Sequence, residues 1–349
     1  MDVTTPPQEM NLIDRALNSF SFTPIGALGF LFLLAVPFLP FFRQEYLLRW
    51  LIAAGFIGAL AIAFDFTAGF INIVNFGFAA IMGLGAYTSA LLALKLGVSP
   101  WIGIFMGPVS AAFLGFVIGL ITLRLRGIFA ACLAWFFGLA LMGLAIKMVW
   151  LTRGALGLRV PRLFETSSNV SYYYLILAMM LGTYLTTRLI TRSKMGLAFM
   201  AIGQNMEAAR TSGVNPVFYR IINFTISCAL AGWLGGFYAH YYGILTPDLM
   251  LTAKTVEILA VAYIGGRGSL WGGAVIAFPL VYATEMVRST LAQLPGLNLI
   301  LYGLLLIVVM IYYPGGFAHF FNTHLREPKN KVLRYVMNGR NGETLRKES

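Results

Sequence analysis

The amino-acid sequence predicts an all-α fold, a polytopic bundle of transmembrane helices. Of the 349 residues, 59% are hydrophobic and only 11% are charged, a composition typical of membrane proteins. Apolar runs close to the roughly 20 residues that cross a bilayer as a helix follow one another along the chain. No stretch away from the termini is both polar and long enough to fold on its own. We therefore expect one transmembrane domain, residues 1–320, followed by a basic cytoplasmic tail, residues 321–349.

Ten membrane segments are predicted from the apolar runs. They are residues 24–42, 47–64, 68–94, 101–123, 127–151, 172–190, 221–242, 256–266, 270–287 and 297–313. A glycine-rich stretch at residues 265–273 interrupts the region 256–287, which forms either two short helices or one helix plus a re-entrant piece. The predicted number of membrane segments therefore lies between eight and ten.

The distribution of charge predicts the orientation. An even number of segments with residues 188–220 inside places both termini in the cytoplasm. Sixteen of the 25 Lys and Arg residues then lie inside, eight outside and Lys147 within a span, in agreement with the positive-inside rule. The loop 152–170 runs against this rule, and its arginines are Arg153, Arg159 and Arg162. Either an extracytoplasmic docking surface or a different topology accounts for them.

Several classes of function lack support in the sequence. The net charge of +12 arises between apolar spans and in the tail, without the aromatic-interleaved basic patch of a nucleic-acid partner. No phosphate loop, zinc-protease or nucleophile-elbow motif occurs, so we assign no catalytic residue. No metal site is expected, because both cysteines lie inside apolar spans and the three histidines are dispersed; these residues are Cys132, Cys228, His240, His319 and His324. Transport against a gradient would need energy from a partner or an ion.

The polar stretch at residues 188–220 is the main clue to function. Within it, residues 207–213 predict a short helix at the cytoplasmic membrane face, and Gly213 is suited to end that helix at positive φ. Ala208 and Ala209 permit a close approach, while Glu207 and Arg210 are suited to contacts at the rim. We expect the helix, over residues 200–212, to fit a groove on another protein.

Polar residues inside a glycine- and alanine-rich stretch, residues 68–87, suggest a substrate path. Asn72 and Asn75 are predicted to lie on one face of a helix, three residues apart. Buried amides in a membrane need partners. Two interpretations stay open: these side chains bond neighbouring helices together, or they line a polar path with the nearby Asp65. The pair taken together with Asp65 favours the path.

A series of motifs identifies the chain as similar to one transporter family. In order, they are NFGFAA at 75–80, GLGAY at 83–87, LRLRGI at 123–128, TRGALGL at 152–158, the stretch 196–213, ALAGWLGG at 229–236, GGRGSLWG at 265–272 and YPGG at 313–316. Together they cover most of residues 60–317. The chain resembles the permease subunit of branched-chain amino acid ABC importers, the longer of the two permease types that pair in them.

Two positions depart from the family pattern. The family often has His after an Asn-Phe/Leu-Gly triplet, where this chain has Phe78. The usual Arg-Asp-Asn-Glu of the loop is replaced at residues 203–206, and the acidic residue follows one place later, at Glu207.

The resemblance implies partners and residue roles. It implies a second, similar permease subunit, two cytoplasmic ATPase subunits that hold ATP and Mg²⁺, an extracytoplasmic solute-binding protein and a place in the bacterial inner membrane. It implies an ATPase-coupling loop, residues 191–219, with Gly196, Ala201, Asn205, Glu207, Ala208, Ala209, Arg210 and Gly213. Further implied are a substrate path with Asp65, Asn72, Asn75 and Phe78, and helix-packing or broken-helix glycines Gly77, Gly83, Gly85, Gly265, Gly266 and Gly268.

The resemblance also limits what the substrate is. Members of the family transport leucine, isoleucine and valine, and also other amino acids, urea and small amides. An ion-coupled secondary transporter, a passive channel for a small polar solute and a membrane-embedded enzyme are the alternative interpretations.

Overall fold

The computed structural model describes residues 33–34, 45–122, 128–164, 168–290, 300, 303–304, 307–308, 311 and 315–321. Its helices are α1 (Glu45–Ala68), α2 (Phe78–Lys95), α3 (Pro100–Thr122), α4 (Ile128–Lys147), α5 (Val149–Thr152), α6 (Val170–Arg192), α7 (Lys194–Gln204), α8 (Met206–Thr211), α9 (Pro216–Tyr242), α10 (Thr252–Gly265), α11 (Trp271–Thr290) and α12 (Gly316–Phe321). Short 3-10 helices cover Gly154–Leu156 and Pro247–Met250, and strands β1 (Leu158–Arg159) and β2 (Ile244–Leu245) pair antiparallel. The predicted all-α fold is confirmed.

Six helices in the described part of the chain are long and apolar enough to cross a membrane, namely α1, α2, α3, α4, α6 and α9. The predicted total of about ten segments is not confirmed. Most of the predicted tail and most of the predicted segments 24–42 and 297–313 lie outside the described residues, as do residues 123–127 of one family motif.

Two ends of the helix bundle are distinguished by the connections of α6 and α9. The coupling end contains α7 and α8, which join the last residue of α6 to the first residue of α9. The hairpin end contains the β1–β2 pair, whose strands precede α6 and follow α9. Since α6 has 23 residues and α9 has 27, the two ends are about 35 to 40 Å apart. The arginine-bearing loop and the polar stretch therefore lie at opposite ends of the bundle.

Buried polar side chains cross-link the hairpin end. His240 of α9 is fully buried, with Nε2 2.9 Å from Ser89 Oγ of α2 and Nδ1 2.8 Å from the Pro161 carbonyl oxygen. Since a carbonyl only accepts, Nδ1 carries the proton and Nε2 accepts from the serine hydroxyl. The Tyr172 hydroxyl of α6 accepts the Leu163 N–H at 3.0 Å. These bonds tie α2, α6 and α9 to the loop that carries β1.

The break between the predicted segments 47–64 and 68–94 is longer than expected and lies later in the chain, which corrects the sequence-based boundaries. α1 ends at Ala68, α2 begins at Phe78, and residues 69–77 are not helical. Hydropathy does not show that the break extends over residues 69–77, because these residues are nearly as apolar as their neighbours. The break lies where a Cβ on Gly69 would come within 2.7 Å of Gly268 Cα, and where Asn72 has a left-handed φ of 54°, which asparagine tolerates better than most residues.

The glycine-rich region near residue 265 forms a turn between two helices at the coupling end. α10 has 14 residues and is about 21 Å long, shorter than the roughly 30 Å hydrocarbon core. The chain between β2 and α10 enters the bundle from the hairpin end, where a Cβ on Gly83 of α2 would be 2.5 Å from Met250 Cγ. Of the two predicted alternatives, the described residues form two helices, with α10 preceded by this short entering segment.

Close backbone approach holds α2, α3 and α9 together. A Cβ on Gly107 of α3 would lie 2.8 Å from the Gly232 carbonyl oxygen of α9 and 3.1 Å from the Gly85 carbonyl oxygen of α2. Small residues at helix crossings allow this packing in membrane proteins, where the hydrophobic effect does not drive helices together.

We expect Gly107→Val to destabilise the bundle, because the added side chain forces apart three backbones. Overpacking of this kind costs about 1–3 kcal/mol, measured as a lower melting temperature of the detergent-solubilised protein. The matched control is Gly143→Val in α4, where a Cβ meets nothing within 4 Å. Equal melting temperatures for the two variants would contradict this account of the packing.

Candidate functional site

The predicted helix over residues 200–212 is in fact two helices, α7 and α8, that meet at Asn205. The backbone of Asn205 is extended, with φ −154° and ψ 108°. Its side-chain oxygen accepts the N–H groups of Glu207 and Ala208, each at 3.1 Å. Asparagine is among the preferred N-cap residues because its oxygen satisfies the free N–H groups of a helix start. A new helix therefore begins at this position and leaves the direction of the first.

The predicted coupling residues divide between an exposed and a buried side of α7 and α8. Ala201, Asn205, Glu207, Ala208 and Arg210 are exposed. Gly196 and Ala209 are buried, and a Cβ on Gly196 would lie 2.5 Å from Thr191 Cα. Gly213 follows α8 at φ 85°. The two alanines predicted to seat a partner are thus separated: Ala208 faces outward, and Ala209 packs against the bundle.

Two exposed apolar residues of α7 were missed by the sequence analysis. Leu197 is 65% exposed and Met200 is 40% exposed. They share one helix face with Ala201 and Gln204, because residues spaced by three, four and seven lie on the same side. That spacing was the signal in the sequence. We call the exposed side of α7 and α8 the docking face; its residues are Leu197, Met200, Ala201, Gln204, Glu207, Ala208 and Arg210.

The break between α1 and α2 touches the back of α7. The Asn72 amide group donates a hydrogen bond to the Gly203 carbonyl oxygen. A Cβ on Gly203 would overlap the Phe70 carbonyl oxygen and lie 3.0 Å from the Phe70 carbonyl carbon. The Phe66 and Phe199 rings pack edge to face, with centroids 5.8 Å apart. Because of these contacts, a displacement of α7 would directly displace residues 66–72.

Asn72 and Asn75 do not share a helix face, which corrects the sequence-based prediction. Asn72 is exposed at the coupling end, whereas Asn75 is 3% exposed and its side-chain oxygen accepts the Gly77 N–H at 3.0 Å. Phe78 is fully buried, with its ring edge to face against Phe64 at 5.3 Å. The structure thus brings Asn75 and Phe78 together at the start of α2 and leaves Asn72 apart.

Asp65 holds the turn between α10 and α11. One carboxylate oxygen accepts the Gly268 N–H at 2.7 Å, and the other accepts the Leu270 N–H at 3.0 Å. Leu270 has a left-handed φ of 60° and Gly268 a φ of 78°. Because the backbone of this turn is not helical, its N–H groups have no acceptors in the regular hydrogen-bond pattern of a helix. The carboxylate near the end of α1 provides them.

The remaining predicted glycines lie at close backbone contacts. A Cβ on Gly138 of α4 would be 2.9 Å from Gly77 Cα, one on Gly265 would be 2.5 Å from Gly273 Cα, and one on Gly266 would be 2.9 Å from the Gly315 carbonyl oxygen. The break, the α10–α11 turn and the start of α12 are thereby packed backbone to backbone.

Two polar residues of α9 were not singled out from the sequence. The Asn223 amide donates to the Phe66 carbonyl oxygen at 3.0 Å, and the Ser227 hydroxyl donates to the Ala63 carbonyl oxygen at 2.6 Å. Both are buried and lie one helical turn apart on the side of α9 that faces α1. Two polar residues spaced by four in an apolar helix are typical of a face that bonds a neighbouring helix, and this spacing could have identified them from the sequence.

The six long apolar helices define this chain as a multi-pass membrane protein. Residues 46–310 match the family described as the permease component of branched-chain amino acid transport systems, and the chain belongs to that family. The predicted resemblance is confirmed.

Similar proteins include permeases for different solutes. The permease LivM of the high-affinity branched-chain amino acid transport system of Escherichia coli strain K12 is 26% identical over 286 residues, which are 74% of this chain and 66% of LivM. LivH of Salmonella typhimurium is 22% identical over 276 residues, 73% of this chain and 89% of LivH. The fructose import permease FrcC of Rhizobium meliloti is 25% identical over 305 residues, 82% of this chain and 81% of FrcC.

These lengths distinguish the two permease types. Since 286 residues are 66% of LivM while 276 are 89% of LivH, LivM is the longer type, and the match spans slightly under two thirds of it. No solved structure matches the chain.

We expect Asp65→Leu to lower the stability of the protein, because it leaves the Gly268 and Leu270 N–H groups without acceptors. Each orphaned group costs about 1–3 kcal/mol, measured as a fall in melting temperature in detergent. The control is Thr187→Val, which removes a hydroxyl bonded within its own helix, to the Thr183 carbonyl oxygen.

A second variant separates this holding role from a role of the Asp65 charge in an ion-coupled transporter, the alternative class of function. Asp65→Asn keeps an acceptor for one of the two N–H groups and is expected to keep most of the solute uptake. Abolished uptake in Asp65→Asn at unchanged melting temperature would contradict the holding role and support an ion-coupled mechanism.

Proposed function

We propose that the chain is the membrane-spanning subunit of an ATP-driven importer of small amino acids, with branched-chain amino acids as the principal substrate class. The observation that carries this proposal is the docking face of α7 and α8, an exposed helical surface whose back is bonded to a helix break in the membrane domain. A permease that obtains its energy from a partner needs such a surface and a connection from it to the membrane-spanning helices.

The proposed assembly contains further subunits. Two cytoplasmic ATPases bind at the docking faces and hold ATP and Mg²⁺, a second permease of the LivH type completes the membrane domain, and an extracytoplasmic solute-binding protein delivers the substrate. The coupling end and both termini face the cytoplasm, and the protein lies in the bacterial inner membrane. The five basic residues of the polar stretch at 188–220 support this orientation by the positive-inside rule.

On this proposal, Leu197, Met200 and Ala208 form the apolar centre of the ATPase interface, and Glu207 and Arg210 lie at its rim. A centre of exposed apolar residues with charged residues around it is typical of protein interfaces. Ala208 has a short side chain, which allows the backbone of α8 to approach a partner closely.

The proposed mechanism moves residues 69–77 together with α7. When the ATPase displaces α7, the Gly203 carbonyl oxygen carries the Asn72 amide with it, and the break shifts at Gly77, where it contacts α4 backbone to backbone. Asp65 keeps the α10–α11 turn attached to the end of α1 during this movement. Packed helices that rock between two arrangements then alternate access to the substrate path.

The substrate class is supported by the family to which the chain belongs. LivM and FrcC are similar to this chain at nearly equal identity, although one is named for branched-chain amino acids and the other for fructose. Identity alone therefore does not choose the solute, and uptake of leucine, urea and fructose should be measured in parallel. The ion-coupled alternative would use Asp65 as its charged group. Both carboxylate oxygens of Asp65 already accept backbone N–H groups, which favours the ATP-driven importer over this alternative.

We expect Ala208→Trp to abolish ATP-dependent uptake and copurification of the ATPase, because the indole does not fit a close interface. Membrane abundance and melting temperature should remain those of the wild type, since Ala208 is exposed. The control is Ala155→Trp, the same change at an exposed residue of the hairpin end. Normal assembly and normal uptake in Ala208→Trp would rule out the docking role.

We expect Asn72→Gly to reduce uptake about tenfold, a typical size for the loss of coupling between two sites, while the ATPase stays bound. Glycine adopts the left-handed φ of Asn72 freely, so this variant removes the bond to Gly203 without backbone strain. Uptake and ATPase binding are measured on the same reconstituted complex. A proportional loss of membrane abundance would mean that Asn72 serves only to hold the helices together.

A further inference from the structure

A basic pocket lies at the hairpin end, away from the docking face. Its volume is about 310 Å³, and its lining residues are Val149, Arg153, Leu156, Gly157, Arg159 and Ile244. Two of the three arginines that run against the positive-inside rule therefore line one cavity, between the end of α5 and the β1–β2 pair.

The backbone around the pocket is held in place by hydrogen bonds. The Thr152 hydroxyl donates to the Ala145 carbonyl oxygen at 2.6 Å and accepts the Gly154 N–H at 3.2 Å. Arg153 follows α5 in a left-handed conformation, with φ 59°. Arg159 lies in β1 and pairs with Ile244 of β2. The two arginines are thus anchored on structured backbone, which reduces the entropy lost when a ligand binds.

The charges of the two arginines are not neutralised within the described part of the chain. Neither Arg153 nor Arg159 has a carboxylate partner among the described residues. Two planar guanidinium groups at one cavity are suited to an oxyanion such as phosphate, to which each can donate two parallel hydrogen bonds.

The surroundings of the pocket resemble a membrane interface. Trp150 is 73% exposed and Leu156 is 89% exposed. Lys95, at the end of α2, lies with Nζ 3.3 Å from the Trp150 carbonyl oxygen and 5.3 Å from the centroid of its ring. Tryptophan and lysine at the ends of spanning helices are typical of the level of the lipid headgroups. Exposed apolar side chains beside paired arginines fit a ligand that has both an anionic group and hydrocarbon chains.

We propose that this pocket binds the phosphate group of an anionic phospholipid, with the acyl chains lying along Trp150 and Leu156. A lipid of this kind explains why Arg153 and Arg159, two of the three arginines of this loop, line one cavity at this end of the bundle. An acidic surface of a soluble protein would satisfy the arginines but would leave the exposed tryptophan and leucine beside them without a role. The proposal is independent of which solute the permease carries and of which end of the bundle faces the cytoplasm.

The test uses the full-length protein in its assembled complex, in nanodiscs that contain equal amounts of phosphatidylglycerol and phosphatidylcholine. Native mass spectrometry measures the fraction of protein that retains phosphatidylglycerol. The double variant Arg153→Asn/Arg159→Gln is expected to lose about tenfold of this retention, and asparagine tolerates the left-handed φ at position 153. The control is Arg162→Gln, an exposed arginine of the same loop that does not line the pocket; it should retain the lipid as the wild type does, and it is charge-matched to the single variant Arg159→Gln.

The remaining outcomes overturn the proposal. Unchanged lipid retention in the double variant would do so, as would displacement of the lipid by inorganic phosphate alone, which would identify a site for the free anion. Loss of solute-binding-protein association at unchanged lipid retention would assign the arginines to an acidic protein partner. If the double variant does not assemble, the single variant Arg159→Gln, at a regular strand position, replaces it and is likewise expected to lose phosphatidylglycerol retention.

Discussion

The structure depends on partners for the backbone groups that the break between α1 and α2 leaves free within the bundle. Polar side chains supply them near both ends of the break: Asn223 bonds the Phe66 carbonyl at 3.0 Å, Thr255 bonds the Ala79 N–H at 3.1 Å, and Asn75 bonds the Gly77 N–H at 3.0 Å. An unsatisfied backbone group in hydrocarbon costs several kcal/mol. Buried amides and hydroxyls in this part of the chain are therefore explained first by the break itself.

The sequence predicted the long continuous helices well, because an apolar run of spanning length has few other solutions in a membrane. Residues 172–190 and 101–123 were predicted, and α6 and α3 occupy Val170–Arg192 and Pro100–Thr122. An interruption was predicted at residues 65–67, but the break lies at residues 69–77. Its position is set by tertiary contacts: Gly69 packs on Gly268, and Asp65 bonds the turn that contains Gly268. These residues are about two hundred positions apart in sequence, and no local pattern reports their contact.

The candidate site was predicted in its location and not in its internal geometry. The polar stretch at residues 188–220 correctly predicted a helical surface segment between two spanning helices. Its division at Asn205 followed from capping chemistry that was readable in the sequence, whereas the bond from Asn72 to Gly203 joins elements whose proximity only the fold reveals. Which of Ala208 and Ala209 faces outward depends on how α8 lies on the bundle, and this too is a tertiary property.

The two ends of the bundle differ in how they are held, and the difference suggests where movement occurs. At the hairpin end, neutral His240 bonds both Ser89 and the Pro161 carbonyl, so separating α2 from α9 there breaks buried hydrogen bonds. At the coupling end, α7 and α8 expose much of their surface, and the Asn72 side chain that joins α7 to the break is itself exposed. On the proposed mechanism, α7 and the break move most while the hairpin end acts as the fixed point, so a small displacement at the docking face reaches the membrane helices as a rotation about the hairpin end.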